Sequence, residues 1–158
     1  MERESVPRSI ISYKVEDIVR QIAKGEPLEH LEFVELIADY GLEGDRYAGT
    51  GDKQITLIGS KGQEWMIKQE TKGLCFKRCK ANFIIEGSIR SFEKGEQIQL
   101  GDAILEITID EKGCYPSDCP REEYGEYCVL YQELRYAKVV KSGRVTLAAL
   151  YNVDAEKI

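Results

Sequence analysis

The sequence predicts a mainly β protein: a closed or nearly closed β-barrel of short, mostly antiparallel strands with a few helices. Three observations carry this. Short apolar runs recur along the chain and are punctuated by glycine turns. The run AILEITID (103–110) alternates Leu105, Ile107 and Ile109 with Glu106, Thr108 and Asp110, the period of a half-buried strand. Strands do not alternate regularly with helical patterns, so an open βαβ sheet fits less well.

Taken in order, KVEDIVRQIAK (14–24) carries Val15, Ile18, Val19 and Ile22, an i, i+3, i+4, i+7 stripe that predicts a short helix ended by Gly25. Residues 1–30 are therefore expected to form a helical N-terminal extension. The core is expected over about 31–150, within one domain spanning 1–158. LEFVELIADY (31–40) and KQITLIG (53–59) read as strands. SKGQEWMIKQE (60–70) reads as a helix with Ser60 as its N-cap. ANFIIEG (81–87) is a strand. EQIQL (96–100) and AILEITID are joined by Gly101-Asp102, which suits a tight hairpin. RYAKVVK (135–141), a Ser142-Gly143 turn and RVTLAAL (144–150) complete the set.

Composition narrows the function classes. A chain of 158 residues can bury one core but not two. With 42% hydrophobic and 32% charged residues, the chain is expected to be globular. A net charge of −6 opposes broad binding to nucleic acid or anionic membranes. No apolar run approaches a membrane span, and no signal-peptide pattern opens the sequence, so a cytoplasmic location is expected. The five cysteines, an odd number without a secretion signal, are then expected as thiols, metal ligands or reactive groups and not as a disulfide framework.

Three stretches hold the candidate chemistry. GCYPSDCPREEYGEYC contains Cys114, Cys119 and Cys128 in a polar loop directly after a strand. A thiolate there can ligate a soft metal or carry sulfur as a persulfide; the alternative is three small buried apolar residues. Cys75 and Cys79, four apart, could join Cys114 and Cys119 in a four-thiolate zinc site, although C-x3-C and C-x4-C are not the usual zinc spacing. GLEGDRYAG (41–49) spaces its glycines as neither a Walker nor a dinucleotide motif. Its glycines allow positive φ and close backbone approach to a ligand, and Arg46 and Lys53 flank it as possible phosphate holders. A plain structural turn is the competing reading. His30 is the only histidine, which excludes two-histidine zinc motifs and leaves it as a strand-edge surface residue. Glu122 and Glu123 read as a solvated charge pair.

The order GLEGDRYAG, QITLI, GLCFKRCKANFIIEG, IQLGDAILEIT, then a cysteine past that strand, resembles the MOSC domain, the C-terminal domain of molybdenum-cofactor sulfurases that also occurs as small stand-alone bacterial proteins. The similarity spans about residues 31–150. It implies a β-barrel that binds a molybdenum–pterin cofactor or transfers sulfur to one. The position of Cys114 matches the family's central cysteine, a molybdenum ligand in reductase members and a proposed persulfide carrier in others. The same resemblance implies a metal role for Cys114, with Cys119 and Cys128 as local alternatives. It implies cofactor contacts from Gly44, Asp45, Arg46, Tyr47, Lys53, Arg78 and Asn82. Tyr47 stands where the family commonly has histidine, and Phe83 where it has isoleucine after the asparagine. Pyridoxal phosphate, which belongs to the desulfurase domain of the large sulfurases, is not expected here. A reductase of N-oxygenated compounds would need an electron-donor protein, and a sulfur carrier would need a cysteine desulfurase. A non-catalytic thiol-rich binding or adaptor domain, with or without a stabilising zinc, is the alternative.

Overall fold

The computed structural model describes residues 10–49, 51–68, 81–109 and 129–148. Among these residues, eleven strands and two helices follow in chain order. They are β1 (Ile11–Tyr13), β2 (Val15–Arg20), β3 (Glu29–His30), β4 (Phe33–Ile37), β5 (Gly41–Leu42), β6 (Ile55–Gly59), α1 (Ser60–Lys68), β7 (Phe83–Ile85), β8 (Gln97–Leu100), β9 (Ala103–Ile109), α2 (Val129–Glu133), β10 (Leu134–Lys141) and β11 (Gly143–Thr146).

Eight strands form a curled sheet in the order β1-β8-β9-β10-β6-β7-β2-β3. Seven of the nine strand pairings are antiparallel; β1–β8 and β6–β7 are parallel. Only Lys14 separates β1 from β2 in the chain, yet they lie at the first and seventh places of the sheet. One peptide unit spans 3.8 Å, so the sheet must curl until its two sides meet at that residue. β1 and β2 act as one bent strand that bonds β8 with its first half and β7 with its second. The Glu86 N–H donates to the Lys14 carbonyl at the bend (3.0 Å).

The barrel is filled from all sides by Val15, Ile18, Ile55, Leu57, Phe83, Ile85, Ile98, Leu100, Leu105, Ile107, Ala137 and Val139. Ile89 and Phe92, from the connection between β7 and β8, also belong to this core. A second, smaller apolar layer lies on the outer face, where Ile58, Leu134, Ile84 and Tyr136 meet Trp65 and Met66 of α1. The remaining sheet, β11-β4-β5, packs Val34, Leu36, Leu42 and Val145 onto the main core.

The helix expected over 14–24 is a strand. The reason lies in a β-bulge. Val15 pairs with Ile85 and Asp17 with Ile84, so Glu16 is an extra residue in the ladder. A bulge shifts the inward–outward alternation by one. Val15 and Ile18 therefore both face the core while three apart, mimicking a helical stripe; Ile22, its fourth member, lies past the strand and is exposed. The run of β-branched residues favours a strand once both neighbours are present. Residues 11–20 thus belong to the main sheet and are no helical extension.

Two further expectations need correction. Ser142-Gly143 makes no hairpin: β11 pairs with β4, not with β10. The Ser142 hydroxyl instead accepts from the Ala38 N–H (2.8 Å). Ser60 begins α1, but its hydroxyl accepts the Gly87 N–H (2.8 Å) in place of capping its own helix. The other expected strands and the Gly101-Asp102 hairpin lie on their segments, except that the strand expected over 144–150 ends at Thr146. His30 is exposed on β3, at the edge of the sheet, and its Nδ1 is 3.1 Å from Asp17.

Candidate functional site

One hydrogen-bonded row crosses the outer face of the barrel. Ile109, the last residue of β9, pairs with Tyr136 of β10, and Tyr136 pairs with Thr56 of β6. Asn82, just before β7, continues the row. Its N–H donates to the Thr56 carbonyl (2.8 Å) and its Oδ1 accepts the Thr56 N–H (2.8 Å). On its other side its carbonyl accepts the Val19 N–H (2.7 Å) and its Nδ2 donates to the Val19 carbonyl (3.1 Å). Asn82 is 3% exposed, so its amide is fully committed to holding β6 and β2 on either side of β7. Asn82→Ala removes the partners of a half-buried N–H and a buried C=O and is expected to cost about 2 kcal/mol, read as a lower midpoint in urea unfolding.

The 41–49 turn attaches to the same strand two residues further on. Gln21, immediately after β2, is the anchor. The Asp45 carboxylate accepts the Gln21 N–H (3.1 Å) through Oδ1 and the Tyr47 N–H (3.1 Å) through Oδ2. The Arg46 N–H donates to the Gln21 carbonyl (2.8 Å), and its Nη1 to Gln21 Oε1 (3.1 Å). The Arg46 guanidinium also stacks over the Tyr47 ring, 4.6 Å from its centre. Gly44 has φ +84, and a Cβ there would stand 3.0 Å from Arg20 Nη1, so both backbone and space call for glycine. Arg20 in turn is held by Glu29 (2.8 Å) and the Glu43 carbonyl (3.2 Å). Asp45 therefore shapes the turn, while Tyr47 is exposed at its tip.

Lys53 lies at the other side of the row. Its Nζ sits 5.3 Å from the centre of the Tyr136 ring. Among the described residues no carboxylate pairs with Lys53 or Arg46. On this face, these two cations have chemistry suited to a phosphate. The structure ties Lys53 to β10, and Gly44, Asp45, Arg46 and Tyr47 to the end of β2; Asn82 lies between. The described residues contain no group of three or more His, Cys, Asp or Glu side chains that could hold a metal ion. Cys75, Arg78, Cys79, Cys114, Cys119, Cys128, Glu122 and Glu123 lie outside the described residues.

Sequence reasoning missed Gln21 and Tyr136, which organise this face. Neither stands in a motif, and only the pairing across strands brings them to the turn and to Lys53. It also missed Glu133 and Arg135, two charged residues on either side of Leu134 at the start of β10. Glu133 is wholly buried. Its Oε1 accepts the Ile89 N–H (2.7 Å), and its Oε2 accepts from the Ser88 hydroxyl and from Arg90 Nε (3.3 Å). Arg135 donates to the carbonyls of Phe92 (2.9 Å), Arg90 (2.8 Å), Gln132 (2.9 Å) and Leu134 (2.8 Å). Between them they clamp the loop that places Ile89 and Phe92 in the barrel.

Fold and site together define a small mixed β-barrel with a bent closing strand and a glycine-rich turn at its side. No family model matches the chain, and no curated protein matches it. Among solved structures, YuaD from Bacillus subtilis shares this fold, with a TM-score of 0.60, 15% identity, and coverage of 85% of this chain and 91% of YuaD. A crystal structure described only as a hypothetical protein gives a TM-score of 0.53 at 16% identity; the match takes in 85% of this chain but 64% of that protein, under two thirds of its length. YiiM from Escherichia coli gives 0.49 at 15% identity over 84% of this chain and 65% of its own. At these identities the likeness concerns the fold. No helix among the described residues is long and apolar enough to cross a membrane.

Proposed function

We propose that this protein is a MOSC-like module that binds a molybdenum–pterin cofactor or carries sulfur to one, with Cys114 as metal ligand or persulfide carrier. The observation that supports this reading is the row from Ile109 to Asn82. These two residues flank, in sequence, the segments that carry Cys114 and Cys79 with Arg78. Asn82 and Ile109 stand three strand spacings apart across β7, β6, β10 and β9, roughly 15 Å. The row thus brings the described ends of the chain on either side of these segments, with Lys53 beside Tyr136, to one face of the barrel.

In this reading Lys53 and Arg46 would hold the phosphate of the pterin, supported by Arg78. Asp45, Gly44 and Asn82 act indirectly, by fixing the turn and the strands that present those cations. The bound cofactor would supply the metal centre, at which oxygen or sulfur transfer takes place. A cysteine thiolate is a suitable soft ligand for it. As a sulfur carrier, the same thiolate would attack the outer sulfur of a desulfurase's cysteine persulfide, release the desulfurase cysteine as a thiolate, and hold the sulfur as its own persulfide. Electrons for any reduction would come from a partner protein.

The test is metal and pterin analysis, with intact mass, of protein produced in a host that makes the cofactor. Near-stoichiometric molybdenum and pterin, or an added sulfur atom removed by reductant, is expected in the wild type and lost in Cys114→Ala. Stoichiometric zinc with neither signature, or retention of both in Cys114→Ala, would overturn the assignment.

A further inference from the structure

A cavity of about 430 Å³ opens at the seam where the bent strand closes the barrel. Its described walls are Ser12, Tyr13, Lys14 and Val15 from the bend, Gly101 from the β8–β9 turn, and Thr146 and Ala148 from the end of β11. None of these residues belongs to the row or the turn described above. The volume falls in the range of small-molecule sites.

Lys14 brings an ammonium, and no described wall residue is a carboxylate. Ser12, Tyr13 and Thr146 bring hydroxyls. Among the described residues, no hydrogen bond or ion pair engages the Ser12, Tyr13 or Thr146 hydroxyl or the Lys14 ammonium. Tyr13 is placed by its ring, edge-on to Phe92 at 5.0 Å between centres. Burial, with Glu96 nearby, raises its phenol above the usual value, so it stays a neutral donor. Val15, Gly101 and Ala148 contribute apolar wall. A cation, several uncommitted hydroxyls and an apolar wall in one concave site are suited to an anion with an apolar body.

We propose that this seam cavity binds a small organic oxyanion, a phosphate or carboxylate on a compact apolar group, with Lys14 as its charge partner. The bend creates the site: the strand leaves β8 and joins β7 at Lys14, so the wall opens at the residue that carries the charge.

Phenyl phosphate is the probe, titrated against the full chain and followed by backbone amide shifts. Saturable binding is expected with a Kd on the order of 1 mM, with shifts at Ser12 to Val15, Gly101 and Thr146. Lys14→Met should weaken it about tenfold or more through the loss of one charge-assisted contact. Lys14 is exposed, and among the described residues no hydrogen bond or ion pair engages its side chain, so the variant should fold normally. Phenol, which lacks the anion, should bind far more weakly. The proposal is overturned if phenyl phosphate does not saturate, if phenol binds equally well, or if Lys53→Met abolishes binding while Lys14→Met preserves it.

Discussion

Glu133→Ala is expected to destabilise the protein by about 3–5 kcal/mol, from a buried N–H left without its acceptor and the cavity left by the side chain. That is a large share of the roughly 5–15 kcal/mol that holds a domain of this size together. The carboxylate is fully buried and accepts from three groups of one loop: the Ser88 hydroxyl, the Ile89 N–H and Arg90 Nε. Alanine leaves the Ile89 N–H buried without its acceptor and opens a void beside Gly59 and Gly62. Those glycines lie so close that an added Cβ would stand 2.5 Å from Glu133 Oε1 and 2.5 Å from its Cβ, respectively. Arg90 is more than half exposed, so Arg90→Ala should cost under about 1 kcal/mol. Equilibrium unfolding of the two variants checks the assignment. Equal effects would mean that the ion pair, and not the buried loop contacts, dominates. Because Ile89 and Phe92 ride on this loop, hydrogen exchange of the barrel core should rise in Glu133→Ala as well.

Gly143→Ala is the second large effect, expected at about 3 kcal/mol or more. Gly143 and Gly101 mark the crossing where the small sheet lies against the β8–β9 turn. A Cβ on Gly143 would stand 2.3 Å from the Asp102 carbonyl carbon and 2.5 Å from the Ala103 nitrogen. Both are backbone atoms, so neither can swing aside. A Cβ on Gly101 would meet the Arg144 carbonyl oxygen at 2.3 Å, and that oxygen already accepts the Asp102 N–H (3.0 Å). Relief would require parting the two turns and breaking that bond. Gly51 is the control. Its φ is +81 but nothing stands within 4 Å of its Cβ position, so Gly51→Ala carries only the left-handed backbone cost of about 1–2 kcal/mol. A Gly143→Ala midpoint no lower than that of Gly51→Ala would show that the crossing is loose.

Strand periodicity was readable at 53–59, 96–100, 103–110 and 135–141 because each of these strands buries one face against the barrel. An alternating pattern survives wherever a strand has one dry and one wet side. Where the ladder is irregular the pattern misleads. Glu16 bulges out of β2, and the resulting three-residue spacing of Val15 and Ile18 reads as a helix. Ser142-Gly143 looks like a hairpin turn because local sequence carries no record of which strand accepts the next one.

The candidate site divides in the same way. Glycines, cations and the aspartate of GLEGDRYAG were visible as types. Their roles were not, since Asp45 is occupied by the amides of Gln21 and Tyr47, one of them 24 residues away in sequence. Asn82 likewise spends its amide on strands β2 and β6. A motif records which groups are present, and only the neighbours decide which of them remain available to a ligand.

By itself, the sequence determined that this is a mainly β domain, with its glycine-rich turn and most of its strands, because burial of alternate residues is a local and repeated constraint. Only the tertiary structure decided that the first two strands are one bent strand closing the barrel, that Glu133 and Arg135 hold its inner loop, and that Lys14 stands at an open seam. Each of those depends on contacts between residues far apart in the chain, where hydrogen bonding and packing across strands outweigh local preference.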